Sequence, residues 1–329
     1  MQRIGNIFHA VYNFENLLFA YKKARAGTKI NDENAAFFFY LEKELHKLSE
    51  ELKSETYEPC PYTYFKIYDP KERLISVASF RDRVVHHALV GTLEPYYEKC
   101  FIYDSYATRK EKGTHKAIKR AQQFLKSNRW YLKTDIDKYF ASIDHEILIN
   151  ILSRKIKDKA LLRLTEKIIR NGGQNGKGLP IGNLTSQFFA NVYLNPFDHF
   201  IKEELQIRHY IRYMDDFVFF DNNKDQVKKL RKVIVEYLQH NLKLELKESA
   251  TYINQRINGL GFLGVRVFPG TIRIKNENLR RMVRRFKVKK MQMEDGKLSE
   301  EKFIESMNSY YALFRNYNTF QLRNRLTHS

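Results

Sequence analysis

The feature that most constrains this chain is a pair of adjacent acids, Asp215–Asp216, set between two short apolar runs, His209–Tyr213 and Phe217–Phe220. Ile211, Tyr213, Phe217 and Phe219 call for burial, so the runs read as a hairpin inside a core, with both charges at its tip. Asp is a common turn residue, and a plain turn accounts for an isolated Asp–Asp pair. A buried sheet, however, seldom carries two neighbouring charges without a counter-ion. A divalent cation is a natural one.

A third acid extends the argument. Trp130–Asp137 reads as a strand with Leu132, Thr134 and Ile136 on one face and Lys133, Asp135 and Asp137 on the other. Asp135 then projects from a sheet, as the pair does. Three carboxylates converging there suit a hard, oxygen-seeking ion such as Mg²⁺. Two such ions, ~3.5–4 Å apart, stabilise the attacking and the leaving oxygen of an in-line phosphoryl transfer.

Charge agrees with that chemistry. Lys plus Arg is 58 against 38 for Asp plus Glu, a formal surplus of +20 that points to a polyanion or an anionic membrane surface. No apolar run approaches the ~18 residues of a membrane span; the longest, Ala35–Leu41, belongs in a core. There is no secretory pattern at the N-terminus. The two cysteines, Cys60 and Cys100, lack CxxC spacing, and His86–His87 is no HExxH motif. The glycine-rich loop Asn171–Gly178 is not a Walker A loop, because Asn171 stands where Gly is required and Gly178 follows Lys177. The expectation is a soluble intracellular protein that holds nucleic acid and no membrane.

Around the acids the chain reads as α+β. A helix is predicted over 33–52, then a hairpin over 62–79 turning at Asp69–Pro70 and carrying Lys66, Lys71 and Arg73, then helices at about 81–99 and 114–127. Two helical stretches follow from about 144 to 170 and one over 184–205. Asn258–Val267 reads as a strand with 271–275 as its partner. Arg280–Lys290 holds seven basic residues and no acid, followed by a helix over 299–315. A solvated face is the bland account of that helix; a phosphate-binding face fits seven unopposed cations better.

Tyr213–Met214–Asp215–Asp216 resembles the YxDD signature of reverse transcriptases. Asp135, within Lys133–Phe140, resembles their first catalytic carboxylate, Leu179–Gln187 their LPxGxxxS segment, and Gly261–Phe262–Leu263–Gly264 their primer-grip turn. The likeness runs from about Lys66 to Val267 in the family's order. It implies a right-hand polymerase fold: fingers over 1–125, a palm of antiparallel sheet packed on helices over 126–270, and a short helical thumb over 271–329. The implied reaction is RNA-directed DNA synthesis from dNTPs on a template RNA, through an RNA–DNA hybrid. Asp135, Asp215 and Asp216 would be catalytic. With Ile136 they would hold two Mg²⁺ ions, for which Mn²⁺ is a substitute.

The resemblance also assigns the surroundings. Arg73 and Lys66 would clamp the incoming triphosphate. Phe140 would block the ribose 2′-hydroxyl, where burial frequencies alone suggest a core phenylalanine. Ile181 and Gly182 would flank the nascent base pair. Arg109, Tyr213, Met214, the turn Gly261–Gly264 and the thumb residues Arg284 and Arg285 would meet template and primer. Lys247 is the remaining option for a proton donor to pyrophosphate, because Ala250–Thr251 stands where relatives often carry Lys–Thr. Ala78 likewise replaces a frequent Pro.

Ile181 and Gln187, where group II intron and retroviral enzymes usually carry Gln and Pro, make the chain most similar to the reverse transcriptases of diversity-generating retroelements. So does the lack of a maturase, RNase H or endonuclease extension. That subtype implies errors at template adenines (mutagenic retrohoming) and a basic accessory protein oligomer. A retron-type or defence-associated enzyme is the alternative, and a non-catalytic RNA-binding protein a further one.

Overall fold

In a computed structural model, residues 3–68, 72–315 and 317–318 are described. The N-terminal part is helical: α1 (Phe8–Tyr12), α2 (Phe14–Arg25), α3 (Asp32–Phe39) and α4 (Leu41–Lys53). The helix expected over 33–52 is broken at Tyr40, whose φ is −103° and ψ 36°. Four successive aromatics, Phe37–Tyr40, have low helix propensity. A new helix begins beyond them with Glu42 and Glu44 in its first turn, where the positive end of the macrodipole favours acids.

The antiparallel hairpin β1 (Thr63–Ile67) and β2 (Arg73–Val77) follows. Its expected turn, Asp69–Pro70, and Lys71 lie outside the described residues. Next come α5 (Phe80–Glu98), capped by Ser79, and α6 (Thr114–Ser127). The central part runs β3 (Trp130–Asp135), α7 (Tyr139–Ser142), α8 (His145–Lys155), α9 (Lys159–Arg170), α10 (Leu184–His199), β4 (Tyr210–Tyr213), β5 (Asp216–Asp221), α11 (Lys224–Leu242) and β6 (Tyr252–Gln255). The helix expected to reach 205 turns π-helical at Phe200–Glu204. The sequence reading assigns no element to the 19-residue α11.

Strands β4-β5-β3-β6 form an antiparallel sheet. The period-2 alternation sends its side chains into two different cores. Leu132, Tyr210, Phe217 and Phe219 join the core built with α2, α5, α10 and α11, whereas Tyr131, Ile211, Val218 and Phe220 pack with α6 and with a third sheet. The face of Lys133 and Asp135, read from sequence as projecting from the sheet, is therefore covered near Tyr131. Only Asp135, at its end, is part-exposed, since Lys133 is 9% exposed.

That third sheet is β7 (Leu260–Phe262), β8 (Val265–Val267) and β9 (Ile272–Ile274). The single strand expected over Asn258–Val267 is thus a hairpin. Leu263 (φ +46°) and Gly264 (φ +84°) form its two-residue loop, and two successive positive φ values are the type I′ geometry that matches strand twist. The basic helix α12 (Asn276–Glu294) and α13 (Glu300–Arg315) follow. Among the described residues no helix is long and apolar enough to cross a membrane.

Candidate active site

Strand pairing assembles the acids. Asp135, last on β3, lies opposite Asp216, first on β5, and residues directly opposite share a face. Tyr213 pairs with Asp216 across β4 and β5, leaving Met214–Asp215 as a two-residue turn. Met214 has φ +59°. A left-handed conformation without glycine costs about 1–2 kcal/mol, so surrounding contacts must hold this turn.

The electrostatics follow from that crowding. Burial first, and then repulsion from Asp135, pushes the Asp215 carboxyl up from 3.8 to about 6; the Arg73 cation on β2 opposes the rise. Burial likewise pushes Asp216 up to about 6, against Lys133 and with a contribution from Asp135. Lys133 Nζ stands 3.1 Å from Asp216 Oδ1, yet off the direction a hydrogen bond needs, so this buried oxygen is ion-paired without a hydrogen bond. The backbone beside Asp135 is pinned: Lys247 N donates to Asp135 O (2.8 Å) and Asp137 N to Glu245 O (2.9 Å). These bonds flank Ile136, whose own carbonyl is thereby turned to the β5 side.

Among the described residues no three His, Cys, Asp or Glu side chains close into a ready-made metal cage, contrary to the expectation of three converging ligands. Mg²⁺ is ordinarily bound by one or two carboxylates plus substrate phosphates, not by an all-protein cage. The donors present fit that mode. They are hard carboxylate oxygens, one a buried acceptor without a hydrogen bond, and burial together with repulsion from Asp135 raises two of the carboxyls, a cost that a bound cation relieves.

The nucleotide-side residues are bolted to the hairpin. Ser76 N on β2 donates to Ile181 O (2.8 Å), and Asn183 Nδ2 donates to Ser76 O (3.0 Å). Gly182 has φ +113°, and a Cβ there would lie 2.9 Å from Ile75 Cγ2, so glycine is required for this approach. Phe140 is half-buried and edge-on to Tyr139, and its carbonyl accepts from Leu179 N (2.7 Å). Arg73, on the same β2 strand, is exposed. Lys66 is exposed as well, in an ion pair with Glu72 (2.7 Å).

Template and primer assignments fare unevenly. Arg109 is corrected: its side chain is 5% exposed, with Nε and Nη2 donating to Glu98 and Nη1 to the carbonyls of Ile102 (2.6 Å) and Ser105 (3.0 Å). A guanidinium so engaged and 5% exposed is turned into the protein and away from a template. Arg109→Ala is therefore expected to destabilise the fold by about 3 kcal/mol or more, the scale for breaking a buried pair. Template affinity per folded molecule should stay unchanged, as thermal melting and fluorescence anisotropy would check.

Phe262 is corrected likewise, being fully buried in the second core, so only the Leu263–Gly264 tip of that turn is offered outward. Gly261 is buried, and a Cβ there would lie 3.4 Å from Lys275 Nζ and 3.5 Å from the Tyr252 hydroxyl. The Tyr213 hydroxyl meets Thr114 Oγ1 at 3.0 Å. Arg284 and Arg285 are exposed on α12.

Sequence reasoning missed Lys133, Lys275, Tyr252 and a buried group centred on Arg212. Lys133 was detectable, since it shares a strand face with Asp135 two residues on. Arg212 carried a signal too, because an arginine inside an apolar strand implies a buried partner.

The model of the family described as "Reverse transcriptase (RNA-dependent DNA polymerase)" matches residues 68–267. Protein YkfC of Escherichia coli K12 is 29% identical over 272 residues, covering 68% of this chain and 71% of that protein. The group II intron-encoded protein LtrA of Lactococcus lactis subsp. cremoris is 30% identical over 207 residues, covering 60% of this chain but 33% of its own length. Among solved structures, a telomerase from Candida albicans aligns over 67% of this chain and 46% of its own, with TM-score 0.49 and 12% identity.

Proposed function

The chain belongs to the reverse transcriptase family, the RNA-directed DNA polymerases, and from that premise we propose that it copies a structured template RNA into cDNA within a diversity-generating retroelement, with errors concentrated at adenines. The observation that carries the catalytic part is the register of Asp135 against Asp216, with the Asp215 turn beside them.

In this reading residues 1–125 are fingers, 126–270 palm and 271–329 thumb. Bound divalent metal would be held by Asp135, Asp215, Asp216 and the Ile136 carbonyl, and it supplies charge neutralisation on the attacking and leaving oxygens. The chain's own residues do the rest. Arg73 balances triphosphate charge from the hairpin to which Ile181 and Gly182 are fastened, which couples binding of the phosphates to placement of the base. Phe140 fills the space a ribose 2′-hydroxyl needs. Lys133 holds Asp216 in place, and the exposed Arg284 and Arg285 meet the phosphates of the hybrid. The basic surplus supports contact with the template RNA and, in this subtype, a basic accessory protein oligomer seated on that RNA.

Primer extension on an RNA template tests the polymerase reading: dNTP- and Mg²⁺-dependent extension is expected from the wild type, and none would defeat it. Ile181 tests the subtype. An apolar branched side chain cannot make the hydrogen bonds of glutamine, so geometry at the nascent pair is checked less strictly. Ile181→Gln is expected to lower misincorporation opposite adenine by about 10-fold, roughly 1.4 kcal/mol of added discrimination. Sequencing the products of both enzymes measures it, and equal error spectra would count against the subtype. A neighbouring noncoding segment that templates a branched RNA–DNA product would indicate a retron-type enzyme instead.

A further inference from the structure

We propose that Arg212 is a positioning residue for the polymerase reaction, gripping the Met214–Asp215 turn from a fully buried ion pair with Asp198 so that Asp215 is presented at one fixed angle. The inference rests on the polymerase reading above and extends it to a group outside the acids.

Every polar atom of the Arg212 guanidinium is accounted for. Nε lies 2.8 and 3.0 Å from the two Asp198 oxygens and Nη2 lies 2.6 Å from Oδ2, a two-pronged grip. Nη1 spends its protons elsewhere, on Asn191 Oδ1 (3.1 Å) and on the carbonyl of Met214 (3.1 Å). Both ionic side chains are 0% exposed. Tyr210 closes the remaining side by donating to Asp198 Oδ1 (2.7 Å).

Asp198 and Asn191 lie seven residues apart on α10, two turns along one face. The backbone of Arg212 is fixed as well: its N–H donates to Asp104 O (2.9 Å) and its carbonyl accepts from Tyr106 N (3.0 Å). The guanidinium thus has a rigid base on every side but one, and on that side it holds the turn.

A buried ion pair is poor value as a stabiliser, since apolar residues of like volume usually serve the fold as well. The arm to Met214 is what such residues cannot replace. It lands on the carbonyl of the residue held at φ +59°, immediately before Asp215. Without it, the turn is free to relax to a conformation ordinary for a non-glycine residue, and the Asp215 carboxylate turns with it.

The test separates positioning from mere structure by removing the pair without breaking the core. Full-length chain carrying Arg212→Met together with Asp198→Leu is compared with wild type and with Arg212→Lys. Each is assayed for melting temperature, for Mn²⁺ binding by electron paramagnetic resonance with primer–template and a non-hydrolysable dNTP, and for single-turnover extension.

The paired variant is expected to melt within a few degrees of wild type, to bind Mn²⁺ at least 10-fold more weakly and to extend at least 100-fold more slowly, with Arg212→Lys impaired in the same direction. Wild-type Mn²⁺ affinity in the folded paired variant would overturn the proposal. Should that variant fail to fold, adding Met214→Gly to Arg212→Lys decides. Glycine takes positive φ unaided, so recovery of at least half the logarithmic loss in Mn²⁺ affinity is expected, and no recovery overturns the proposal. Failure of the wild type to extend any primer would count against the polymerase reading alone, because Mn²⁺ affinity and melting are read independently of extension.

Discussion

Asp215→Asn is expected to reduce RNA-templated primer extension by about 1,000-fold or more, the scale on which loss of one member of a catalytic unit is felt, while raising the melting temperature of the metal-free protein. The two effects share a cause. Asp215 and Asp216 are half-buried beside Asp135, and both carboxyls are pushed up from 3.8 to about 6. A carboxyl whose folded value is raised contributes stability that is whole below about pH 4 and is lost as pH rises through about 6.

At pH 7.5 the metal-free protein therefore carries the full cost of holding these charges away from water and beside Asp135. A rise of that size corresponds to about 3 kcal/mol for an isolated group, and less for each member of an interacting pair. Removing one charge relieves part of it, so the variant melts a few degrees higher at pH 7.5, and the difference shrinks at pH 5. Mg²⁺ should narrow the gap from the other side by stabilising the wild type more than the variant. Calorimetry at two pH values with and without Mg²⁺, beside a primer-extension assay, checks each part. Equal melting of the two proteins under all conditions would remove the electrostatic explanation.

The second large effect is on sugar selection. Phe140→Ala is expected to lower discrimination against ribonucleotides by about 100-fold, the discrimination that one packing contact in a shaped pocket can supply. Phe140 is half-buried rather than a core residue, its ring edge-on to Tyr139 and its carbonyl tied to Leu179, two residues before Ile181. Truncation should thus cost less stability than the roughly 3–5 kcal/mol of a fully buried phenylalanine. Phe140→Val should give a smaller loss of selectivity. Single-nucleotide incorporation with dNTP and rNTP pairs measures the ratio. Unchanged discrimination in a folded Phe140→Ala protein would return Phe140 to an ordinary packing role.

What could be read from the residues alone follows a physical division. Short-range patterns were legible. The helix at about 114–127, the alternation of β3, the apolar runs of β4 and β5 and the acids at the hairpin tip all arise from neighbours in sequence, and the elements stand where those patterns put them. Long-range satisfaction of polar groups was not legible. Nothing local tells that Arg109 turns inward to Glu98 and two carbonyls, or that Arg212 finds Asp198.

Local signals also misled where one conformation masks another. Leu263–Gly264 sits among the strand formers Leu260, Phe262, Val265 and Val267, and its two positive φ values make a hairpin of what reads as one strand. The Phe37–Tyr40 aromatics keep helical spacing straight through the break at Tyr40. Helix α11, rich in lysine and lacking glycine or proline, offered a usable periodic signal in Val227, Ile234 and Leu238 that went unread.

The most direct measurement is a structure of the protein with Mn²⁺, RNA template, DNA primer and a non-hydrolysable dNTP, with the ions located by anomalous scattering. The account predicts manganese in direct contact with the carboxylates of Asp135 and Asp215, beside the triphosphate. Ions found only elsewhere, or either carboxylate turned away from them in the assembled complex, would contradict it.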